Sequence, residues 1–338
     1  MILPYTVFDC PWIAPLALLL DFALGDPKLP WPHPVVVLGR ILHALEQRIR
    51  PHLQKHPQTE WFVGRLLGAL SLLGVSALVA LTLAFLCSLP FVGGLFACYF
   101  AYAGLAMGCL IQTGHTVLIA IENDPLPQAR TSLSMLVSRD TSQMDKNVLQ
   151  KTLADTLSEN FTDALVAPFF WLLLTGPVGL WIYKTISTMD SMWGYTTTQW
   201  RYLGWAGARM DDVAAFIPAR IAILVVGLYD WCVRTFAPQA RTWEGSYPGF
   251  FALHKQALGM PSPNSGCSMN VFAWLINSPM AGPSIYFGKM VEKPWLGPPS
   301  HAKAWDAKRL RLLLTLLHHT GLFGMLVVWA LCVALCLC

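Results

Sequence analysis

Long apolar runs constrain this chain more than any other feature of its sequence. Residues 61–90 carry one charged side chain, Arg65, and the run exceeds the roughly 20 residues that a helix needs to cross a bilayer. Charged residues make up 12% of the chain, against about 25% in a typical soluble domain. Four further runs have a similar character: 92–121, 164–183, 213–234 and 312–338. The sequence therefore predicts an all-α, polytopic membrane helical bundle with about five spans.

Shorter elements accompany these spans. Residues 12–24 form a hydrophobic stretch without the positive start of a signal peptide, which predicts a retained short helix. The motif "TGPVG" at 175–179 interrupts one apolar run, so that run is either a span or a re-entrant hairpin. Residues 235–311 are rich in Pro and Gly and predict a long ordered loop. We interpret residues 1–338 as a single integral membrane domain.

Small residues dominate the second apolar run. Ala97, Ala101 and Gly104 recur along it, and such residues allow helix backbones to approach closely in lipid. Nine cysteines lie mostly in apolar segments, without the spacing of a metal site, and we interpret them as small core residues.

Positive charge predicts the orientation. Lys and Arg concentrate in the segments before residue 61, between 122 and 163, and between 235 and 311, which five spans place on one side. The opposite side receives essentially Lys184, Arg201 and Arg209. Because Lys and Arg are enriched in cytoplasmic loops, we expect a multi-pass protein of the bacterial inner membrane whose polar loops face the cytoplasm.

Three carboxylates follow one another at helical spacing near the edge of a predicted span. Asp155, Glu159 and Asp163 recur every four residues and share one helical face, where like charges repel unless a cation lies among them. A solvated acidic face is the favoured interpretation for Asp155. Glu159 and Asp163 adjoin an apolar run, where ionisable groups are costly and usually functional. Oxygen ligands of this kind suit Mg²⁺.

A second group of charges lies between residues 188 and 221. It contains Asp190, Arg209, Asp211, Asp212 and Arg220. The two arginines are able to hold a phosphate or carboxylate through paired hydrogen bonds. The alternative is internal pairing, for example Arg209 with one of the two adjacent aspartates.

Two further polar residues lie in proline-rich turns. Asn264 in "SPNSG" either shapes a turn or orients a substrate. His33, between two prolines, is either a polar anchor at the membrane surface or part of a site. The chain has no Gly-rich loop that ends in Lys-Ser or Lys-Thr, so any nucleotide binds without a P-loop.

Several motifs occur in a characteristic order along nearly the whole chain. They include "LDFALGDPKLPWPHPVVVLGR", "RDTSQMDKNVLQKTLADTLSENFTDALVAPFF", "TMDSMWGY", "GARMDDVAAFIPARI", "SPNSG" and "YFGKMVEKPWLG". As a set they resemble the adenosylcobinamide-phosphate synthase family of cobalamin (vitamin B12) biosynthesis. The resemblance implies a ligase that joins adenosylcobyric acid to (R)-1-aminopropan-2-ol phosphate, or a related amino alcohol, through an amide bond, giving adenosylcobinamide phosphate.

The resemblance also implies ATP and Mg²⁺ as cofactors, a corrinoid and an amino-alcohol phosphate as substrates, and no nucleic-acid partner. A homo-oligomer stays open. An alternative function is a non-catalytic membrane sensor or scaffold of the same fold, related to beta-lactamase regulatory proteins. The chain departs from the family pattern at Ala164, at 196–200 and at 267–270.

Matching positions supply the expected site residues. The expected catalytic residues are Glu159, Asp163 and Asp190. The expected metal ligands are Asp211, Asp212 and Glu159. The expected substrate-binding residues are His33, Arg139, Asn160, Tyr195, Arg209, Arg220 and Asn264.

Overall fold

The computed structural model describes residues 5–27, 29–55, 58–195, 197, 199–286, 289–298 and 303–337. The described chain is predominantly α-helical, and five of its helical segments are long and apolar enough to cross a membrane. They are Glu60–Ser88, Gly93–Asn123, Lys146–Trp193, Phe216–Phe236 and Ala307–Cys336. The predicted class, an all-α polytopic membrane bundle with about five spans, is confirmed.

The chain divides into two compact units. Unit 1 comprises residues 1–106, 167–215 and 328–338, and unit 2 comprises residues 107–166 and 216–327. Whether the two units act as a single membrane domain stays a prediction.

Six helices lie wholly within unit 1 among its described residues. They are α1 (Ile13–Leu24), α2 (Pro34–Lys55), α3 (Glu60–Ser88), α4 (Gly93–Gly104), α8 (Ala167–Trp193) and α9 (Trp205–Ala214). Helix α8 packs against α3, α4 and α9. A Cβ atom added at Gly104 would lie 2.1 Å from Leu180 Cδ2, so only glycine permits this approach of α4 to α8. Ala97 and Ala101 are fully buried, which confirms the close packing predicted from small residues.

Helix α8 contains the predicted Gly-Pro break. Gly176 adopts φ 64° and ψ −166°, which lies outside the helical region and favours glycine. Pro177 follows and lacks the N–H that would continue the helix, so two helical pieces meet at this residue. The break is therefore confirmed, whereas the choice between a span and a re-entrant hairpin stays open.

Unit 2 contains most of the remaining elements. They are α5 (Met107–Asn123), α6 (Leu126–Ser134), α7 (Lys146–Phe161), α10 (Phe216–Phe236), α11 (Phe250–Ala257), α12 (Ser265–Ile276), α13 (Ala307–Leu337), β1 (Met280–Ala281), β2 (Ser284–Tyr286), β3 (Lys289–Val291) and β4 (Trp295–Leu296). Strands β1 and β4 pair antiparallel, as do β2 and β3. The boundary between the units falls inside α13, at residues 327 and 328.

The expectation of a long loop at 235–311 is wrong in part. The segment is ordered, but it contains α11, α12 and the four short strands. Helix α12 is almost wholly buried, and its Asn270 donates from Nδ2 to Leu253 O at 2.9 Å and accepts from Gly297 N at 2.9 Å. Proline-rich turns flank these elements, and they hide the hydrophobic periodicity of the short helices and strands in the sequence. Tertiary hydrogen bonds of this kind, rather than local propensity, hold them in place.

Candidate functional site

Helix α7 carries the acidic residues predicted to share a face. Its first turn is capped by Asp145, whose side chain accepts a hydrogen bond from Val148 N at 2.9 Å. The helix continues through five residues of π-helix, Thr162–Val166, and then into α8. The long helical segment therefore starts at Lys146, whereas the sequence predicted a span that starts at residue 164. The polar residues of α7 that the added part contains are largely buried against protein. Single π-helical turns are frequent at functional sites.

Asp155 is the centre of a buried ionic network in unit 2. Its carboxylate is fully buried and accepts from Arg139 Nη1 at 2.8 Å, Lys151 Nζ at 3.0 Å and Ala281 N at 3.0 Å. Lys151 also donates to the carbonyl of Ala281, whose φ is +58°. The network thus fixes an uncommon left-handed conformation at β1. The solvated acidic face expected for Asp155 is wrong, because Arg139 and Lys151 neutralise the carboxylate inside the protein.

Glu159 differs from its neighbour one turn earlier. Its side chain is partly exposed and forms no hydrogen bond or ion pair with any residue in the described part of the chain. It lies within electrostatic range of the cations Lys293 and Arg139 and of the carboxylates Asp163 and Asp155. Glu159 is therefore a carboxylate with charged groups nearby and no hydrogen bond or ion pair among the described residues, so it is able to contact a ligand.

Two other predicted residues lie beside Glu159 on the helical segment. Asn160 donates from Nδ2 to Thr156 O at 2.9 Å, so its amide is partly engaged by its own helix. Asp163 lies in the π-helical turn and is partly exposed. Lys293 was not among the predicted site residues. Lys293 lies in "EKPW", one of several lysines in a Pro-rich segment, and nothing in that sequence indicates that it lies near Glu159.

The motifs around residues 220 and 264 meet in unit 2. Arg220 Nη1 donates to Asn264 Oδ1 at 2.7 Å, and Nη2 donates to Pro263 O at 3.2 Å. The Arg220 guanidinium also lies 3.6 Å from the centroid of the Phe216 ring. Asn264 thus positions the arginine at the start of α12. The substrate-binding roles predicted for Arg220 and Asn264 stay predictions, since each now has a protein partner.

Asp190 occupies the end of α8 in unit 1. Gly194 N donates to its backbone carbonyl at 2.7 Å, and a Cβ atom at Gly194 would lie 2.1 Å from Asp190 Oδ1. The glycine of "MWGY" therefore makes room for the carboxylate. Asp190 lies within electrostatic range of Asp212, and its own carboxylate has no hydrogen bond or ion pair among the described residues. Two acids of like charge therefore lie near each other here, and of the two Asp212 has a cationic partner, Arg209.

Helix α9 presents the other predicted residues of unit 1. Arg209 Nη1 lies 3.7 Å from Asp212 Oδ2, and the arginine side chain is 68% exposed. The internal pairing considered above exists, although an exposed pair of this length contributes little to stability. Asp211 and Tyr195 are both partly buried, and residues 196 and 198 of the divergent 196–200 run lie outside the described residues.

The predicted metal ligands do not form a recognisable site by themselves. No group of three or more His, Cys, Asp or Glu side chains in the described ranges is arranged to hold a metal ion. Mg²⁺ is commonly held by one or two carboxylates together with substrate phosphates, and Asp190 and Asp212, which lie within electrostatic range of each other, fit that donor set. Sequence spacing does not reveal that these two acids interact.

His33 caps helix α2 in unit 1. Its Nδ1 accepts from Val35 N at 3.3 Å, and its carbonyl accepts from Val36 N at 2.8 Å. Burial lowers the pKa of His33, opposed by the nearby Asp26 and reinforced by Lys184. The lowered pKa favours the neutral imidazole, whose Nδ1 accepts from Val35 N. This structural role leaves the predicted substrate contact untested.

These features define a class of protein: a polytopic helical membrane protein with ionisable side chains along its apolar helices. Within that class, the chain belongs to the CobD/Cbib protein family, whose sequence profile matches residues 14–316. The family suggested by the motifs is thus confirmed. No solved structure matches the chain.

Curated relatives span most of the chain. A protein of Photorhabdus laumondii named "Cobalamin biosynthesis protein CobD" is 34% identical over 290 residues, covering 85% of this chain and 86% of the relative. A protein of the same name from Pelobacter propionicus is 34% identical over 314 residues, covering 92% of each chain. One from Listeria monocytogenes is 32% identical over 282 residues, covering 82% of this chain and 85% of the relative.

Proposed function

We propose that this protein acts in cobalamin biosynthesis as an ATP-dependent ligase. It joins a propionate carboxylate of adenosylcobyric acid to the amine of (R)-1-aminopropan-2-ol phosphate, or a related amino alcohol, and gives adenosylcobinamide phosphate. The names of the relatives support the pathway. The observation that carries the reaction is the contrast among its buried acids. Asp155 is neutralised by the protein, whereas Glu159 and Asp190 are not.

The proposed reaction assigns a different role to each of these acids. A carboxylate and an amine do not condense without activation, and ATP with Mg²⁺ would supply the phosphoryl group that makes the carboxyl oxygen a leaving group. Asp190 and Asp212 are the candidates to hold the cation. The amine then attacks the carboxyl carbon, the C–N bond forms, the C–O bond to the phosphoryl oxygen breaks, and the nitrogen loses a proton.

Glu159 is the candidate base for that proton. General bases of this kind typically contribute about 10²–10⁴-fold to a rate. Arg139 and Lys293 provide positive charge beside it, which suits an anionic substrate. Arg209 and Arg220 are candidates for the corrinoid carboxylate or the amine phosphate, through the bidentate geometry that guanidinium groups offer.

The reaction is tested with purified full-length protein in lipid nanodiscs. Adenosylcobyric acid, the amino-alcohol phosphate, ATP and Mg²⁺ are supplied together, and mass spectrometry detects the amide. We expect product with the wild type, a loss of about 10²-fold or more in Glu159→Gln, and little change in the control Glu60→Gln. A folded protein that binds adenosylcobyric acid but forms no amide would end the proposal in favour of a sensor or scaffold.

We further propose that the protein lies in the bacterial inner membrane with its catalytic loops in the cytoplasm. The distribution of Lys and Arg supports this orientation. Labelling of Ser262→Cys in a cysteine-free background with a membrane-impermeant reagent tests it. We expect labelling in inverted vesicles only, and labelling of intact cells would reverse the assignment.

A further inference from the structure

A polar pocket in unit 2 lies outside the acids of the proposed reaction. It has a volume of about 480 Å³ and lies between α6 and the loop at 137–142. Its lining includes Arg130, Thr131, Ser134, Arg139 and Thr141. Pockets that bind small molecules span roughly 300–1,000 Å³, so the volume suits a small ligand.

Two hydrogen bonds link helix α6 to the segment that follows it beside the pocket. Arg130 Nε donates to Met144 O at 2.8 Å, and Thr141 Oγ1 donates to Arg130 O at 3.1 Å. Among the described residues, the Nη atoms of Arg130 have no acceptor. The guanidinium is therefore fixed at one nitrogen and keeps its outer donors for a ligand, an arrangement that reduces the entropic cost of binding.

The charge around the pocket favours an anion. Its lining carries two arginines, Arg130 and Arg139, and one carboxylate, Asp140. Arg139 pairs with Asp155, and Asp140 Oδ1 accepts from Ser142 N at 2.9 Å. The outer face of Arg130 thus has no carboxylate partner among the described residues. Threonine and serine hydroxyls at the rim add further polar groups.

We propose that this pocket binds the phosphate group of a phosphorylated small molecule, with Arg130 as its main anchor. A phosphate offers several strong acceptor oxygens, which match the paired Nη donors of a guanidinium. Arg139 lines the pocket and also acts electrostatically on Glu159, so the phosphate site adjoins the candidate base within unit 2. The choice among phosphate compounds rests on the proposed function, whereas the anion site does not.

Calorimetry on the full-length protein in nanodiscs tests the proposal with three probes: inorganic phosphate, (R)-1-aminopropan-2-ol phosphate and Mg–ATP. We expect the wild type to bind at least one of the two phosphorylated compounds. Arg130→Ala should weaken that binding by about 10-fold to 100-fold, because a charge-assisted hydrogen bond is lost. The control Arg48→Ala, which removes an exposed arginine from α2 in unit 1, should bind as the wild type does.

Arg130→Ala also removes the hydrogen bond to Met144 O and so is able to disturb folding. A second variant therefore tests the pocket without this change. Thr131 is exposed on α6, and Thr131→Glu places a negative charge at the pocket rim without touching that bond. It should weaken binding as well. Unchanged binding in both variants, or no binding of any probe by the wild type, would overturn the pocket. Binding without amide formation would instead end the proposed reaction and leave the pocket standing.

Discussion

The two units of the molecule treat buried charge differently. In unit 2, Asp155 is matched by Arg139 and Lys151, and Asp230 is matched by Arg234, Arg241 and the indole N–H of Trp243. In unit 1, Asp190 lies within electrostatic range of Asp212, which forms an exposed contact with Arg209. Removal of one partner in the first arrangement leaves an uncompensated buried charge, whereas a bound cation would offset the repulsion between the two acids in the second.

Removal of the central carboxylate of unit 2 should have the largest effect. Asp155→Asn removes the buried negative charge that pairs with Arg139 and Lys151 and weakens the hold on β1. We expect a loss of about 3–5 kcal/mol in the free energy of unfolding, measured by denaturant titration in detergent. The control Asp145→Asn retains a good helix cap and should be nearly neutral. Wild-type stability in Asp155→Asn would remove the contrast between the units.

The equivalent change in unit 1 should leave stability intact. Asp190→Asn removes a carboxylate that has no ion pair or hydrogen bond among the described residues and that Asp212 repels, so we expect a change of less than about 1 kcal/mol, or a slight gain. Amide formation should fall by about 10²-fold or more if the pair holds Mg²⁺. A destabilisation similar to that of Asp155→Asn would show that Asp190 is structural.

The contact of Arg220 with Asn264 tests whether a second charged side chain of unit 2 stabilises the fold. A double-mutant cycle with Arg220→Ala and Asn264→Ala should give a coupling energy of about 1–2 kcal/mol in unfolding, since the two side chains share a partly buried hydrogen bond. Additive effects would mean that this hydrogen bond contributes no coupling energy to the fold.

His33 should give the smallest effect, visible only in its pH dependence. Burial depresses the pKa of its imidazole in the folded state, so its contribution is complete above about pH 6.5 and is lost as pH falls through the lower folded pKa. His33→Asn keeps a cap acceptor and removes the titration. The variant should lose stability less steeply than the wild type below pH 6.5, and parallel curves would contradict this role.

The sequence alone predicted the membrane class, about five apolar helical segments and the break at Gly176. These depend on the length of apolar runs and on the backbone preferences of Gly and Pro, which are local properties. Sequence spacing also brought Glu159 and Asp163 forward as candidates. The motif order identified the family, because that information lies in the residues themselves.

Tertiary structure decided which charges are satisfied. Asp155 and Glu159 lie on one helix four residues apart, yet Arg139 and Ala281 donate hydrogen bonds to the former, whereas Lys293, far along the chain, acts electrostatically on the latter. The buried helix α12 and the pocket at Arg130 likewise depend on contacts between distant segments. The role of an ionisable group depends on where its partners lie in space. Those partners come from distant parts of the chain, so the neighbouring sequence does not reveal them.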